Sequence, residues 1–371
     1  MLKLGMVGWR GMVGSVLMER MLAENDFDHC EPLFFTTSQV GQAAPEIGRE
    51  LPPLQDAHDL DTLAGMDAII SCQGGDYTQA VIGPLRARGW QGYWIDAAST
   101  LRMDAESLIV LDPVNRDVID RGLDRGIRNF IGGNCTVSLM LMALGGLFAQ
   151  GWVDWLTSMT YQAASGAGAN SMRELVAQMR YLGDGCGALL DDPAAAIARI
   201  DRQIIADLRS EGFPTACFGA PLAAAVIPWI DRPMDNGQTR EEWKGLVETN
   251  KILGREDLPI PIDGQCVRIG AMRCHSQAFT IKLTGDIPLD EIEEAIKSHN
   301  EWVNLIPNTK EATLADLTPA KVSGTLSVPV GRVRKLNLGA DYLTAFSVGD
   351  QLLWGAAEPL RRMLNILLER L

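Results

Sequence analysis

Residues 2–14 read LKLGMVGWRGMVG, and this stretch carries the strongest indication of the fold. The apolar run at residues 2–7 is typical of a buried strand, and glycines follow it at positions 8, 11 and 14. Glycine permits a positive φ and a close approach of the backbone, while the free N–H groups at a helix start attract a pyrophosphate. The spacing G-x-x-G-x-x-G departs from the usual G-x-G-x-x-G. The segment predicts a strand, a dinucleotide-binding turn and a helix, with an ordinary strand–helix turn as the alternative.

The rest of the first third alternates short apolar runs with helical patterns. Strands are predicted at residues 2–7, 33–36, 68–71, 93–97, 108–111 and 130–132. Helices are predicted at residues 11–22 and 78–88, the second ended by Gly89. This alternation is typical of a parallel sheet wound with helices. The predicted fold class is therefore α/β, beginning with a Rossmann-like, doubly wound parallel sheet.

The pattern changes after Gly133, which predicts a second, α+β domain. A long apolar helix at residues 136–148 comes first, followed by predicted strands at 156–162, 266–272 and 277–283 and helices at 173–180, 194–210, 241–253 and 289–300. The amphipathic segment 354–371 is expected to pack back on the first domain. We expect a cofactor domain of residues 1–134 plus 355–371, and a catalytic and dimerisation domain of residues 135–354.

Charge and cysteine content narrow the possible functions. The 33 basic and 47 acidic residues give a net charge of −14, which argues against nucleic-acid or anionic-membrane partners. The longest apolar stretch, residues 137–149, is shorter than the roughly 20 residues of a membrane span, and the N-terminus lacks the features of a signal peptide. We expect a cytoplasmic protein. Seven cysteines without a C-x-x-C pair predict reduced thiols, with neither a disulfide framework nor a metal site.

The end of the second predicted strand indicates which dinucleotide binds. Residues 35–39 read FTTSQ and lack the acidic residue that receives the ribose hydroxyls of NAD. Arg10 and the hydroxyls at that strand end favour the 2′-phosphate of NADP instead. The alternative is a polar strand end beside a solvated arginine.

A predicted nucleophile lies in the segment Gly132-Gly133-Asn134-Cys135-Thr136. Cys135 starts a buried helix behind two glycines, and the positive end of a helix dipole favours thiolate and lowers a cysteine's pKa. The alternative, a buried structural cysteine, is the better interpretation for the other six.

His275 is the best base among the four histidines, because His29 and His58 lie in polar stretches and His299 lies near a helix end. Arg268 precedes it in the same apolar region, where a guanidinium must be paired or must bind a carboxylate. Their odd spacing would place them on opposite faces of one regular strand. We therefore expect a bend between them, at Gly270, if both reach one pocket. A satisfied core histidine is the alternative.

Two further elements carry charge. Thr239 and Glu242 fit a capping box, which places Glu241 and Lys244 on one helical face. A solvated ion pair is the simpler interpretation of that pair. Arg102 follows a predicted strand and is suited to bind phosphate, with an ordinary surface arginine as the alternative.

Four separated motifs together resemble aspartate-β-semialdehyde dehydrogenases of the Gram-negative bacterial type, over essentially the whole chain. They are the glycine turn, the segment around Cys135, residues 161–168 (YQAASGAG) and residues 268–275. The resemblance implies that L-aspartate 4-semialdehyde, phosphate and NADP+ interconvert with 4-phospho-L-aspartate and NADPH, on the route to lysine, threonine, methionine and diaminopimelate. It also implies a homodimer.

The resemblance further implies a role for each matching residue. Cys135 would form an acyl-thioester, His275 would be its acid/base and Gln162 would lie near the thioester. Arg268 and Glu241 would bind the substrate's α-carboxylate and α-amino groups, and Arg102, Lys244 and Asn134 the phosphate. The positions that match the NADP site are Gly8, Arg10, Gly11, Met12, Val13, Thr37, Ser38, Gln73, Ser165, Gly166, Pro193 and Gln351.

Three other functions compete with this one. A reductase of N-acetylglutamyl phosphate is related, but Glu241 supplies an anionic partner that only an unblocked amino group needs. A catalytically silent NADP-binding regulator would be expected to have lost Cys135 or His275. A thiol hydrolase leaves the glycine turn unexplained.

Overall fold

The first sheet contains seven strands, and every neighbouring pair in it is parallel. The structure is a computed structural model that describes residues 1–370. The strands are β1 (Leu2–Val7), β2 (Cys30–Thr36), β3 (Gln55–Asp56), β4 (Ala68–Ser71), β5 (Tyr93–Asp96), β6 (Ser107–Val110) and β7 (Asn129–Gly132). They lie in the order β3-β2-β1-β4-β5-β7-β6. The order reverses at β1, so a crevice forms between the loops after β1 and β4, where dinucleotides bind in such sheets.

Helices connect these strands. They are α1 (Met12–Ala23), α2 (Leu60–Ala64), α3 (Gly75–Ala87), α4 (Asp112–Asp124) and α5 (Cys135–Ala149). α5 is buried from Thr136 to Phe148, because its apolar side chains belong to one core with the second sheet. Its first residue therefore lies between the two sheets.

The second sheet is mixed and lies in the order β12-β13-β14-β11-β8-β10-β9. Its strands are β8 (Val153–Gln162), β9 (Val226–Ile227), β10 (Ile262–Ile269), β11 (Cys274–Leu283), β12 (Val303–Leu305), β13 (Val328–Lys335) and β14 (Tyr342–Asp350). The helices of this region are α6 (Ala169–Leu190), α7 (Ile197–Leu208), α8 (Arg240–Ile252), α9 (Leu289–Ser298), α10 (Lys310–Asp316) and α11 (Pro319–Val322). A π-helical turn, Leu353–Ala357, then leads into α12 (Glu358–Arg370).

The end of the chain returns to the first sheet. Leu360, Met363 and Leu364 of α12 share a core with Leu4 and Met6 of β1. The last residue of the predicted segment 354–371 lies outside the described residues.

The α/β fold class and the Rossmann-like first sheet are confirmed. One element prediction is wrong, and three of the longer elements were not predicted. The predicted strand at residues 266–272 ends at Ile269, where the chain turns toward β11. The acidic helix α4 was not predicted, and neither were the strands β13 and β14.

Candidate active site

Cys135, the predicted nucleophile, is the first residue of α5 and follows β7 after a two-residue turn. Asn134 caps the helix, because its Oδ1 accepts hydrogen bonds from the N–H groups of Thr136 at 3.0 Å and Val137 at 3.3 Å. A side-chain cap of this kind satisfies donors that a helix start otherwise leaves free. The cap fixes the direction in which the helix presents its first side chain.

The imidazole of His275 faces the thiol of Cys135, with 3.2 Å between Nε2 and Sγ. On the other side of the ring, the backbone N–H of Ala163 donates to Nδ1 at 3.0 Å. Because Nδ1 accepts that bond, a neutral ring carries its proton on Nε2. The exchangeable proton of His275 therefore points at the sulfur.

Burial dominates the ionisation of both groups. Burial, together with a smaller effect of the charge of Glu241, raises the pKa of Cys135 to about 12, while nearby cations, Arg268 first, oppose the rise. Burial also lowers the pKa of His275 to about 3, with Arg268 adding to the effect. The prediction that the helix start lowers the pKa of Cys135 is wrong, because desolvation of the thiolate outweighs the helix dipole.

Three adjacent strands bring Arg268, Gln162 and His275 into one row. Arg268 of β10 pairs in register with Gln162 of β8, and the pairing of β11 with β8 places His275 level with the same residue. Arg268 and His275 thus lie on separate strands, and the chain turns between them from Gly270 onward. The expected bend is confirmed, and it removes the difficulty of the odd spacing.

The guanidinium of Arg268 is buried and donates to the backbone carbonyl of Ala163 at 2.8 Å. Within residues 1–370 it forms no salt bridge. A buried charge without a counter-ion is unfavourable. The site is therefore suited to an anionic ligand such as a carboxylate.

Glu241 receives three hydrogen bonds at the same site. Its Oε1 accepts from Asn134 at 2.9 Å and Gln162 at 3.3 Å, and its Oε2 accepts from Lys244 at 2.9 Å. Burial opposes ionisation, but Lys244 and these bonds together hold the pKa of Glu241 below its usual value. Lys244 also donates to Asp231 at 2.8 Å. The capping box is confirmed, whereas the interpretation as a solvated pair is wrong, because both Glu241 and Lys244 are buried.

Arg102 is also buried, so its interpretation as a surface residue is wrong. Its Nε donates to the carbonyl of Gly132 at 2.6 Å, and its Nη1 donates to Glu248 at 3.1 Å. A cavity of about 280 Å³ brings these groups together; its lining includes Val13, Arg102, Asn134, Cys135, Gln162, Gly166, Glu241, Lys244, Arg268 and Gln351.

The glycine turn after β1 leads into α1, and Val13 in the first turn of that helix lines this cavity. Gly8 has a φ of +73°, and a Cβ on it would lie 2.4 Å from the backbone carbon of Cys72. Gly11 is the N-cap of α1 and makes no side-chain cap bond, so the N–H groups at this helix start are free for an anion. The backbone thus provides the close-packed cradle that a pyrophosphate requires.

Two family models match the chain. The model described as "Semialdehyde dehydrogenase, NAD binding domain" matches residues 3–122, and that described as "Semialdehyde dehydrogenase, dimerisation domain" matches residues 144–354. An aspartate semialdehyde dehydrogenase from Francisella tularensis is 48% identical, with a TM-score of 0.93 over 99% of this chain and 100% of that one. The chain belongs to the aspartate-semialdehyde dehydrogenase family.

More distant members of the aspartate-semialdehyde dehydrogenase family share the fold. Aspartate semialdehyde dehydrogenase II of Vibrio cholerae, solved in complex with ASA, is 23% identical, with a TM-score of 0.80 over 99% of this chain and 98% of that one. The Candida albicans enzyme with NADP is 17% identical, with a TM-score of 0.64 over 100% and 99% of the two chains. At these identities the likeness concerns the fold alone.

The remaining residues predicted to bind NADP lie in several parts of the structure. Arg10 reaches the end of β2, where it contacts Gln39 and donates to Thr36 at 3.2 Å and Ser38 at 3.5 Å. The resemblance also predicts Thr37, Gln73, Ser165 and Pro193. Thr37 and Gln73 are exposed at strand ends, and Ser165 is buried and donates to the carbonyl of Arg273. Pro193 is exposed between α6 and α7, outside the lining of the cavity.

Gln351 provides a second test of whether a cofactor fits. Its side chain is 7% exposed and lines the cavity with Cys135, yet its Oε1 has no hydrogen-bond partner within residues 1–370. A buried amide oxygen is expected to be satisfied. The orphaned acceptor and the open helix start of α1 both fit a bound dinucleotide.

Four residues that contact the site were not predicted from the sequence. They are Glu248, Asp231, Ala163 through its backbone N–H, and Gly355, which packs so closely that an added Cβ would lie 2.9 Å from the Cβ of Cys135. Only Glu248 had a detectable signal, because it follows Glu241 by two helical turns on the same face.

Within residues 1–370, no helix has the length and apolarity that a membrane span needs.

Proposed function

We propose that this enzyme reduces 4-phospho-L-aspartate to L-aspartate 4-semialdehyde, reversibly and with NADPH, through a thioester on Cys135. The observation that carries the proposal is the contact between Cys135 Sγ and His275 Nε2 at 3.2 Å, at a cavity that Cys135 lines together with three cations and a carboxylate. The product belongs to the route toward lysine, threonine, methionine and diaminopimelate.

The proposed reaction begins at the sulfur. The Cys135 thiolate attacks the acyl carbon of the substrate, the carbon–oxygen bond to phosphate breaks, and inorganic phosphate leaves. When bound, the cofactor supplies the hydride that reduces the resulting thioester, after which the carbon–sulfur bond breaks and the thiolate returns. His275 exchanges a proton at Nε2 with the sulfur or the substrate oxygen, acting as the acid/base. Gln162 lies one strand away and contacts the same pocket.

Charge complementarity supports the aspartate substrate. Within residues 1–370 the guanidinium of Arg268 has no acidic partner, and we assign it to the substrate's α-carboxylate. Glu241 is assigned to the α-ammonium group, which would share the carboxylate with Lys244. Arg102, Lys244 and Asn134 are assigned to the phosphate. An N-acetylated substrate has no positive charge to match Glu241.

For the cofactor, we assign the pyrophosphate to residues 8–13 and the 2′-phosphate to Arg10 with Thr37 and Ser38. Support comes from the position of Arg10 at a strand end without an acidic residue. Gln73, Ser165, Gly166, Pro193 and Gln351 complete the proposed site. We also propose that residues 1–134 and 355–371 form the cofactor domain and residues 135–354 the catalytic and dimerisation domain.

A second copy of the chain is the proposed partner. The outer face of β8 exposes Met159 and Tyr161, each 36% accessible despite a central position in the sheet. Apolar side chains on an open sheet face favour association. Analytical ultracentrifugation of the wild type should show a dimer that Tyr161→Asp weakens; a monomeric wild type would rule the dimer out.

The decisive experiment compares the wild type with Cys135→Ala, following phosphate-dependent NADPH formation from L-aspartate 4-semialdehyde. We expect Cys135→Ala to lose turnover while NADPH binding, measured by fluorescence, stays unchanged. The matched control is Cys217→Ala, because Cys217 is an exposed cysteine outside the cavity. Normal turnover in Cys135→Ala would refute the nucleophile.

The substrate assignment has its own test. Arg268→Lys keeps the positive charge but cannot make a bidentate contact, so the KM for the aldehyde should rise by about tenfold or more. An unchanged KM would contradict the assignment of Arg268 to the α-carboxylate.

A further inference from the structure

Glu248 of α8 joins two parts of the site through a single carboxylate. The side chain is 2% exposed. Its Oε1 accepts from Arg102 Nη1 at 3.1 Å, and its Oε2 accepts from the backbone N–H of Asn134 at 2.7 Å. A buried carboxylate is tolerated only when both oxygens are paired. Both partners of Glu248 are residues of the cavity lining.

The helix α8 presents its charged groups in one line. Glu241, Lys244 and Glu248 are three or four residues apart, so they share the face that turns toward the start of α5. Glu241 holds the side chain of Asn134, and Glu248 holds its backbone. The residue before Cys135 is thus fixed at both its backbone and its side chain by one helix.

The polar groups of Asn134 are all engaged. Its Oδ1 caps α5, its Nδ2 donates to Glu241, its N–H donates to Glu248, and its carbonyl accepts from the N–H of Ser138 at 2.9 Å. Removing Glu248 would leave the N–H of Asn134 buried and unsatisfied. The strain would fall on the turn that orients Cys135.

The orientation of Arg102 depends on the same carboxylate. Nε is held by the carbonyl of Gly132 and Nη1 by Glu248, so two edges of the planar guanidinium are fixed. Nη2 has no hydrogen-bond partner within residues 1–370, and Arg102 lines the cavity. The guanidinium is therefore held with one edge available to an anion.

We propose that Glu248 is a positioning residue that sets the geometry of the phosphate-binding arginine and of the nucleophile's turn together. The proposal rests on the proposed function, in which Arg102 binds phosphate and Cys135 attacks the acyl carbon. It assigns Glu248 no contact with substrate or cofactor. Its loss should weaken phosphate binding more than aldehyde binding, a selectivity that general destabilisation does not produce.

The test is Glu248→Gln. The glutamine keeps the shape of the side chain but removes its charge, and one of the two donors, Arg102 or Asn134, then faces an NH2 group instead of an acceptor oxygen. We expect the KM for phosphate to rise about tenfold, because a charge-assisted bond is lost. The KM for L-aspartate 4-semialdehyde should change less than twofold, kcat should fall, and arsenate should follow phosphate. The rate at which iodoacetamide alkylates Cys135 should also change. This rate reports on the turn that orients Cys135 and does not depend on catalytic turnover.

The matched control is Glu358→Gln. Glu358 is 1% exposed and paired with Arg20 and Arg361 in the first sheet's core, outside the cavity lining. The Glu358→Gln substitution should lower the Tm of the enzyme without changing the KM for phosphate. If Glu248→Gln does not fold, Glu248→Asp reaches only one partner and should show a smaller rise in the KM for phosphate.

An unchanged KM for phosphate in the folded Glu248 variant would overturn the proposal. So would equal rises in both KM values, since they would indicate a merely structural role. Failure of the proposed function is distinguishable, because it appears as turnover by Cys135→Ala whatever the Glu248 variants do.

Discussion

Two turns in this molecule use the same device, a strand, glycines and the start of a helix. The first joins β1 to α1 through Gly8 and Gly11, and the second joins β7 to α5 through Gly133 and Asn134. Gly11 caps α1 without a side-chain bond, and it is exposed. Asn134 caps α5 with its side chain and is 4% exposed. One helix start is open, and the other is closed.

The difference shows what a helix N-terminus can do. At the open turn the backbone N–H groups remain available, so the partial positive charge can act on a bound anion. At the closed turn Asn134 occupies two of those groups, and burial raises the pKa of Cys135 to about 12. The dipole does not generate a thiolate there. Arg268, Arg102 and Lys244 favour the thiolate, but burial outweighs them.

The largest effect is expected at the open turn, from Gly14→Ala. A Cβ at this position would lie 2.2 Å from the carbonyl oxygen of Gly8 and 2.6 Å from Cα of Trp9. Since both neighbours are backbone atoms, the turn must distort, at a cost of about 3 kcal/mol. NADPH binding should fall more than about a hundredfold, as measured by fluorescence titration, with a lower Tm.

The control for that substitution is Gly183→Ala in α6, where a Cβ meets no atom within 4 Å. An alanine there should be neutral or slightly stabilising, because alanine has the higher helix propensity. Equal losses of NADPH affinity in the two variants would show that the tight turn after β1 has no special role.

The closed turn is tested by the pH dependence of Cys135 alkylation in the free enzyme. A thiol with a raised pKa is almost wholly protonated at neutral pH, so its thiolate fraction rises tenfold for each pH unit. Alkylation by iodoacetamide, followed by mass spectrometry of the Cys135 peptide, should increase about a hundredfold from about pH 7 to about pH 9. The lowered pKa of His275 keeps the ring neutral throughout, so no inflection is expected near its ordinary value. A plateau reached below about pH 7 would contradict this, since it would indicate a preformed thiolate.

The sequence predicted the open turn well. The bounds of β1 and β4 agree with the structure to the residue, because each is a short apolar run between polar or glycine residues. At the closed turn, the start of α5 was predicted within one residue, and His275 was predicted to act with Cys135. Local composition is sufficient for the bounds of such elements.

The closed turn was harder to predict, because its properties depend on groups that are distant in the chain. The contact of Glu248 with Asn134 spans 114 positions, and no local pattern encodes it. The pKa of Cys135 depends on burial, which requires the packed structure. Arg268 and His275 seemed to share one strand because the turn between β10 and β11 is apolar in sequence. The helix α4 was missed because a charged sequence with few apolar residues gives a weak periodic signal.

A smaller effect is expected when the closed turn loses its cap. Asn134→Ala removes the cap of α5 and the bond to Glu241. Loss of an N-cap should cost about 1 kcal/mol in the free energy of unfolding. The displaced nucleophile should reduce kcat by about thirtyfold, because catalysis depends on sub-ångström placement. Thermal denaturation and steady-state kinetics measure the two effects.

The control for that cap is Thr309→Ala, which removes the side-chain cap of α10. It should lower stability by a similar amount, about 1 kcal/mol, and leave kcat unchanged. A normal kcat in Asn134→Ala would mean that the closed turn holds Cys135 without its cap.

The smallest effect concerns what the open turn selects. Arg10 extends from it to the end of β2, where it contacts Gln39 and donates to Thr36 and Ser38. If the guanidinium receives the 2′-phosphate, Arg10→Ala should raise the KM for NADP+ by about tenfold, a modest effect because exposure to water limits the energy of the ion pair. The KM for NAD+, which lacks the 2′-phosphate, should stay nearly unchanged. Arg121→Ala is the control, because it removes an exposed arginine of α4 and the same unit of charge. A general electrostatic effect would appear in both variants and for both dinucleotides, whereas a specific contact appears only in Arg10→Ala with NADP+. A proportional rise in both KM values for Arg10→Ala would assign the residue to the pyrophosphate, and the preference for NADP would then have to arise from Thr37 and Ser38.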